Sequence, residues 1–298
     1  MFRRILICAM VFALASGAAL AAPAIAPDKY PVVDGSTATL PLSYALRAAA
    51  TGETPDEAAA HTRHSKTTQS FYTLIDGASD LLLVYEPSAD AYAYAASQGV
   101  DLLMKPIGRD ALVFLVNAGN RVTSLTNRQV LDIYTGAVGN WKELGGDDLP
   151  IVAFQRVPDS GSQVMMQKQV MKGAPMAQPP AKLIVGEMGE LIDEVASFTN
   201  EPSAIGYSVY YYVHNMYIQD GLRVMPIDGV APDNDTIASG EYPYTQDFYA
   251  VIRADAPQDS PQRQLFDWLG GEEARELLAE AGYAALVGAE ERLVSIGE

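Results

Sequence analysis

Short apolar runs separated by amphipathic stretches recur along the chain after Pro27, and this alternation restricts it to an α/β architecture. Strands are expected at 30–33, 81–85, 111–116, 151–154, 205–208 and 248–252. Between them, 68–77 places Phe71, Leu74 and Ile75 on one helical face, and 126–134 does the same with Val130, Leu131 and Tyr134. Stretches 173–180 and 228–240, rich in Pro, Met, Asp and Asn, read as loops, and 261–282 as two helices broken at Gly270-Gly271. With 298 residues, 49% of them hydrophobic, the chain can build two lobes, each with its own apolar interior, and a cleft between them.

The first residues point to export. Arg3 and Arg4 precede an apolar run from Ile5 to Ala15, followed by small residues and Ala19-Leu20-Ala21, the pattern of a signal peptide over 1–21 with a second cleavage point as late as 26. The run is too short to span a membrane. Cys8, the single cysteine, lies inside it behind the bulky Ile7, so no lipid anchor is expected and the exported chain has no thiol for a disulfide, a nucleophile or a metal. A disulfide-free exported protein suits a bacterial periplasm. With 20 basic and 37 acidic residues, the net charge of −17 argues against nucleic acid and anionic membranes as partners.

Three segments share one design, an apolar strand running into a hydroxyl-bearing turn and then a helix. They are Val33-Asp34-Gly35-Ser36-Thr37-Ala38-Thr39-Leu40-Pro41, Ser65-Lys66-Thr67-Thr68, and Arg156-Val157-Pro158-Asp159-Ser160-Gly161-Ser162. A helix start exposes unpaired N–H donors and the positive end of the helix dipole, so three of them can converge on one oxyanion. Ser and Thr before a helix are ordinary N-caps when taken singly. Arg156 makes the third turn more specific, because a guanidinium offers planar paired donors to phosphate-like groups. His61 and His64 without a third ligand do not make a metal site, and no metal or cofactor is expected.

These residues resemble the phosphate-binding proteins of bacterial ABC transporters, within the type II periplasmic binding protein superfamily. The resemblance extends to Thr126, Gln129 and Val130, to Tyr134-Thr135-Gly136, Asn140-Trp141, Gly206-Tyr207 and Gly282-Tyr283. It implies a two-lobed α/β fold with a ligand cleft, lobe 1 from 28–108 plus 246–298 and lobe 2 from 109–245. It also implies a monomer that captures inorganic phosphate, or a related oxyanion, and passes it to an ABC transporter permease. The site residues it implies are Thr39 and Leu40 in the first turn, Thr67 in the second, and Arg156, Ser160, Gly161 and Ser162 in the third.

Two departures stand out. The family's second turn is glycine-rich, whereas this one has none. The family's proton-accepting Asp at the end of the next strand falls here on Tyr85 or Glu86, and the expected site set carries Glu86. A carboxylate there would select hydrogen phosphate over sulfate, while a phenol would relax that choice. Two other readings remain: a diverged anion-binding or phosphate-sensing module without transport, and a periplasmic phosphoester hydrolase. The second is weakened because the chain has no G-x-S-x-G, no S-x-x-K near Ser160 and three histidines in all.

Overall fold

The structure is a computed structural model that describes residues 22–197, 202–286 and 289–294. The signal-peptide segment 1–21 lies outside the described residues. Among those described, no helix is long and apolar enough to cross a membrane.

The strands are β1 (Val33–Gly35), β2 (Leu81–Tyr85), β3 (Leu102–Asn117), β4 (Val152–Ala153), β5 (Gln155–Arg156), β6 (Ile184–Val185), β7 (Ala204–Val209), β8 (Leu222–Val224), β9 (Thr245–Arg253), β10 (Ala284–Ala285) and β11 (Arg292–Val294). The helices are α1 (Leu40–Thr51), α2 (Pro55–Ala60), α3 (Thr67–Ile75), α4 (Ala89–Gln98), α5 (Asn127–Thr135), α6 (Gly161–Met165), α7 (Met188–Ser197), α8 (Asn234–Ser239), α9 (Pro261–Leu269) and α10 (Glu272–Glu280). A wider π turn, Met166–Met171, continues α6. Local chemistry sets many of these bounds. Pro41 occupies the first turn of α1, where its missing N–H has no intrahelical partner to lose. Thr126 and Gln129 form a reciprocal capping box ahead of α5, which ends at Gly136 in a left-handed conformation.

The sheet runs β1-β2-β9-β3-β7-β4, and the 16-residue β3 is its pivot. From Leu102 to Ala111 β3 pairs antiparallel with β9, and from Leu112 onward with β7, with β8 joining at Leu115. One strand therefore joins two sets of partners within a single sheet. A register shift between Pro106 and Gly108 places the missing Pro N–H at a break in the ladder.

At the pivot, Asp110 is fully enclosed and accepts from the Tyr85 O–H at 2.6 Å, the Ala111 N–H at 2.7 Å and the Tyr211 N–H at 3.1 Å. Burial pushes its carboxyl up to about 6, with these donors opposing the rise. The contacts tie the end of β2 to the chain leaving β7, across the line where β3 changes partners. Trp141, 1% exposed, is fixed beside β7 by donating Nε1–H to the Ser203 carbonyl.

Candidate functional site: an enclosed cavity at three helix starts

The three hydroxyl-bearing turns meet. A partly open cavity is lined by Ser36, Thr37 and Ala38 ahead of α1, Lys66 and Thr67 at the start of α3, and Arg156, Ser160, Gly161 and Ser162 around the start of α6. Tyr85, Met188 and Val209 complete the wall. The space open to the centre of an oxygen-sized atom is about 20 Å³. As a sphere that has a radius of about 1.7 Å, which matches a tetrahedral oxyanion with oxygens about 1.5 Å from its central atom. A larger, open depression of about 500 Å³ lies elsewhere, lined by Tyr72, Asp76, Asp90, Ala93, Tyr94 and Ser97. Its two carboxylates and lack of a cation are the wrong chemistry for an anion.

The first two turns are held together from behind. Asp34 accepts from the N–H groups of Gly35 and Ser65, both at 2.7 Å, and from the hydroxyls of Ser65 and Thr73. His64 donates through Nδ1 to the Ser36 carbonyl at 2.7 Å, which leaves Nε2 to accept from the Ser43 hydroxyl at 2.9 Å. Burial lowers the pKa of His64, so the neutral ring that this pattern requires is favoured. His61 sits apart, 3.2 Å from Glu53.

The third turn is aimed by Arg156 and its neighbours. The Arg156 N–H is bonded by the Tyr207 hydroxyl, which in turn donates to the Gln163 side chain. Its guanidinium donates Nε–H to the Val185 carbonyl at 3.0 Å and one Nη2–H to the Gly186 carbonyl at 2.8 Å. Nη1 is buried and has no partner in the protein. Arg156 is 4% exposed, and among the described residues no carboxylate lies within ion-pair distance of it. Burial lowers its pKa, although a guanidinium stays charged. The wall thus contains a dehydrated cation with an unused donor, next to the buried and unpartnered Ser162 Oγ. Leaving such groups unmatched costs free energy, which an anion completing their hydrogen bonds would recover.

Over residues 21–270 the chain matches the model of a PBP superfamily domain. The chain belongs to the PBP superfamily. It is 28% identical over 208 residues to the phosphate-binding protein PstS of Bacillus subtilis, a match covering 70% of this chain and 63% of that relative, so it spans less than two thirds of the relative's length. Its fold resembles a putative phosphate ABC transporter substrate-binding protein from Clostridium perfringens solved with bound phosphate. That match has a TM-score of 0.65 at 23% identity and covers 85% of this chain and 98% of the other. An ABC-type phosphate transport receptor from Vibrio cholerae gives 0.61 at 21% identity with the same coverage. Within the superfamily the fold is the two-lobed α/β arrangement expected from the sequence.

Thr67, Arg156, Ser160, Gly161 and Ser162 all reach the cavity, but three expected residues do not. Thr39 is fully buried, and its hydroxyl donates to the Ser36 and Leu83 carbonyls, while the Leu40 N–H bonds the Thr37 carbonyl. A tight turn over Thr37–Thr39 moves Ser36, Thr37 and Ala38 into the position expected of Thr39 and Leu40. Glu86 is also corrected. Its carboxylate lies 3.2 Å from Lys168 and 3.5 Å from Arg292 and accepts from Tyr92, so these cations draw it away, and Tyr85 supplies the wall.

The glycine-free second turn has a physical explanation. Lys66 adopts φ 81° and ψ 166°, a region nearly reserved for glycine, and its ammonium lies 2.5 Å from Glu187 on the opposite side of the cavity. Backbone strain there is of order 1–3 kcal/mol. The exposed ion pair returns less than about 1 kcal/mol. Lys66→Gly should therefore raise the unfolding free energy by about 1 kcal/mol once the larger unfolded-state entropy of glycine is included. A urea midpoint no higher than wild type would contradict the strain.

Proposed function

We propose that this protein is an exported solute receptor that captures inorganic phosphate between its two lobes and hands it to an ABC transporter permease. The observation that carries the proposal is the buried Arg156 guanidinium, whose Nη1 lacks a protein partner in a cavity of oxyanion size. Thr67, Ser160, Ser162 and the first N–H groups of α3 and α6 complete the donor set, with Gly161 allowing the two sides to approach. The names of the relatives support phosphate as the ligand and transport as the setting.

In this reading the chain binds without catalysing a reaction, acts as a monomer and works in the periplasm after losing residues 1–21. Lobe 1 comprises 28–108 with 246–298, and lobe 2 comprises 109–245. The partner change on β3 after Ala111 supports a boundary within a few residues of that division.

Calorimetry on purified protein, unfolded to strip any anion and refolded, should give one phosphate per chain with a Kd of about 1 μM or below. Absence of heat on phosphate addition to correctly refolded protein would reject the proposal.

A further inference from the structure

The hydrogen-bond directions around the cavity say which protonation state of an oxyanion it accepts. Ser36 Oγ accepts the Tyr85 N–H at 3.1 Å and lies 2.9 Å from Thr67 Oγ1. Either hydroxyl can donate in that bond, and the other keeps its proton for a bound anion. Ser160 Oγ accepts the Gln163 N–H at 3.3 Å, which likewise frees its proton. Arg156 Nη1 can only donate.

Anionic acceptors are missing from this wall. Among the described residues lining the cavity there is no carboxylate. Glu187 is held by Lys66, and Glu86 is turned to Lys168 and Arg292. Asp110 stands behind Tyr85 and accepts the hydrogen bond from its O–H, so the phenol does not donate to the cavity, and burial beside this carboxylate keeps it protonated and uncharged. The hydroxyls of the wall are neutral and accept an oxyanion's O–H far more weakly than a carboxylate would, whereas a fully ionised anion accepts from every donor in the wall.

We infer that the cavity takes the fully ionised form of a tetrahedral oxyanion, binding sulfate alongside the phosphate dianion. This deepens the oxyanion reading above and rests on it.

Phosphate and sulfate should be titrated calorimetrically into the same refolded protein at pH 8 and pH 6. At pH 8 the two affinities should agree within about tenfold, since both anions are then mainly dianionic. Between pH 8 and pH 6 phosphate binding should weaken by about tenfold as its dianion is depleted, with sulfate binding changed by less than about twofold. Sulfate keeps its charge over this range. It therefore reports any contribution from Lys66, Tyr85 and Arg156 in the wall, or from His64, Asp110, Glu187, Glu190, Tyr207 and Tyr212 around it.

Phosphate binding with sulfate silent would overturn the inference and leave the phosphate-receptor proposal standing. So would phosphate affinity that does not change with pH. Sulfate binding without phosphate would overturn both phosphate as the ligand and the shared binding of the two dianions. Binding of neither anion would overturn both.

Discussion

Arg156→Met should weaken phosphate binding by about a thousandfold, or about 4 kcal/mol, while leaving the anion-free protein as stable as wild type. The two effects diverge because of how the guanidinium is partnered. With anion bound, Nη1 makes charge-assisted hydrogen bonds in a dehydrated cavity, the setting in which they are strongest. Without anion, the same group is a buried cation with no ion-pair partner among the described residues, and its removal relieves desolvation. Loss of its bonds to the Val185 and Gly186 carbonyls opposes that relief, so the melting temperature should stay within a few degrees. Calorimetry and thermal unfolding of both proteins, with and without phosphate, separate the two quantities. Affinity within about tenfold of wild type would show that Arg156 is structural.

Legibility in the sequence followed how each element is buried. Strand β2 is apolar throughout because it is covered on both faces, so its predicted and observed bounds coincide. The first half of β3 was hidden by Lys105, Pro106, Gly108, Arg109 and Asp110, which interrupt any apolar run. Tertiary partners make that half tolerable: Lys105 donates to the Phe266 carbonyl, Arg109 pairs with Asp247 at 2.8 Å, and Asp110 is satisfied at the pivot. Phe266 and Asp247 lie more than a hundred residues away and Tyr85 lies 25 away, so none of these partners leaves a local signal. The third turn was readable because Arg156, Ser160, Gly161 and Ser162 are consecutive or nearly so. The choice between Tyr85 and Glu86 was not, since Leu81 to Tyr85 offers no polar alternation to show its faces. The structure decides it through the pleat, which puts Leu81, Leu83 and Tyr85 in one cluster and Leu82 and Val84 in another. Thr39 failed for a subtler reason: one tight turn determines whether its hydroxyl faces the cavity or the Leu83 carbonyl.

Gly161→Val should reduce phosphate affinity by about a hundredfold without loss of folding, because it acts on the approach of the two sides. Gly161 begins α6 and Thr67 begins α3, on opposite walls of the cavity. A Cβ at 161 would lie 2.6 Å from Thr67 Oγ1 and 3.5 Å from its Cβ, with the valine methyl groups adding further contacts. Thr67 cannot swing aside freely, since it is 3% exposed and its hydroxyl is bonded to Ser36. The strain is therefore relieved by keeping the walls apart, which lets water reach Arg156 and weakens every donor in the cavity. Strand pairing on each side of the pivot is untouched, so the change in unfolding free energy should stay near 1 kcal/mol. Solution scattering should show a variant whose radius of gyration does not decrease when phosphate is added, in contrast to wild type. A variant that contracts and binds like wild type would mean that closure does not depend on the close approach of Gly161 and Thr67.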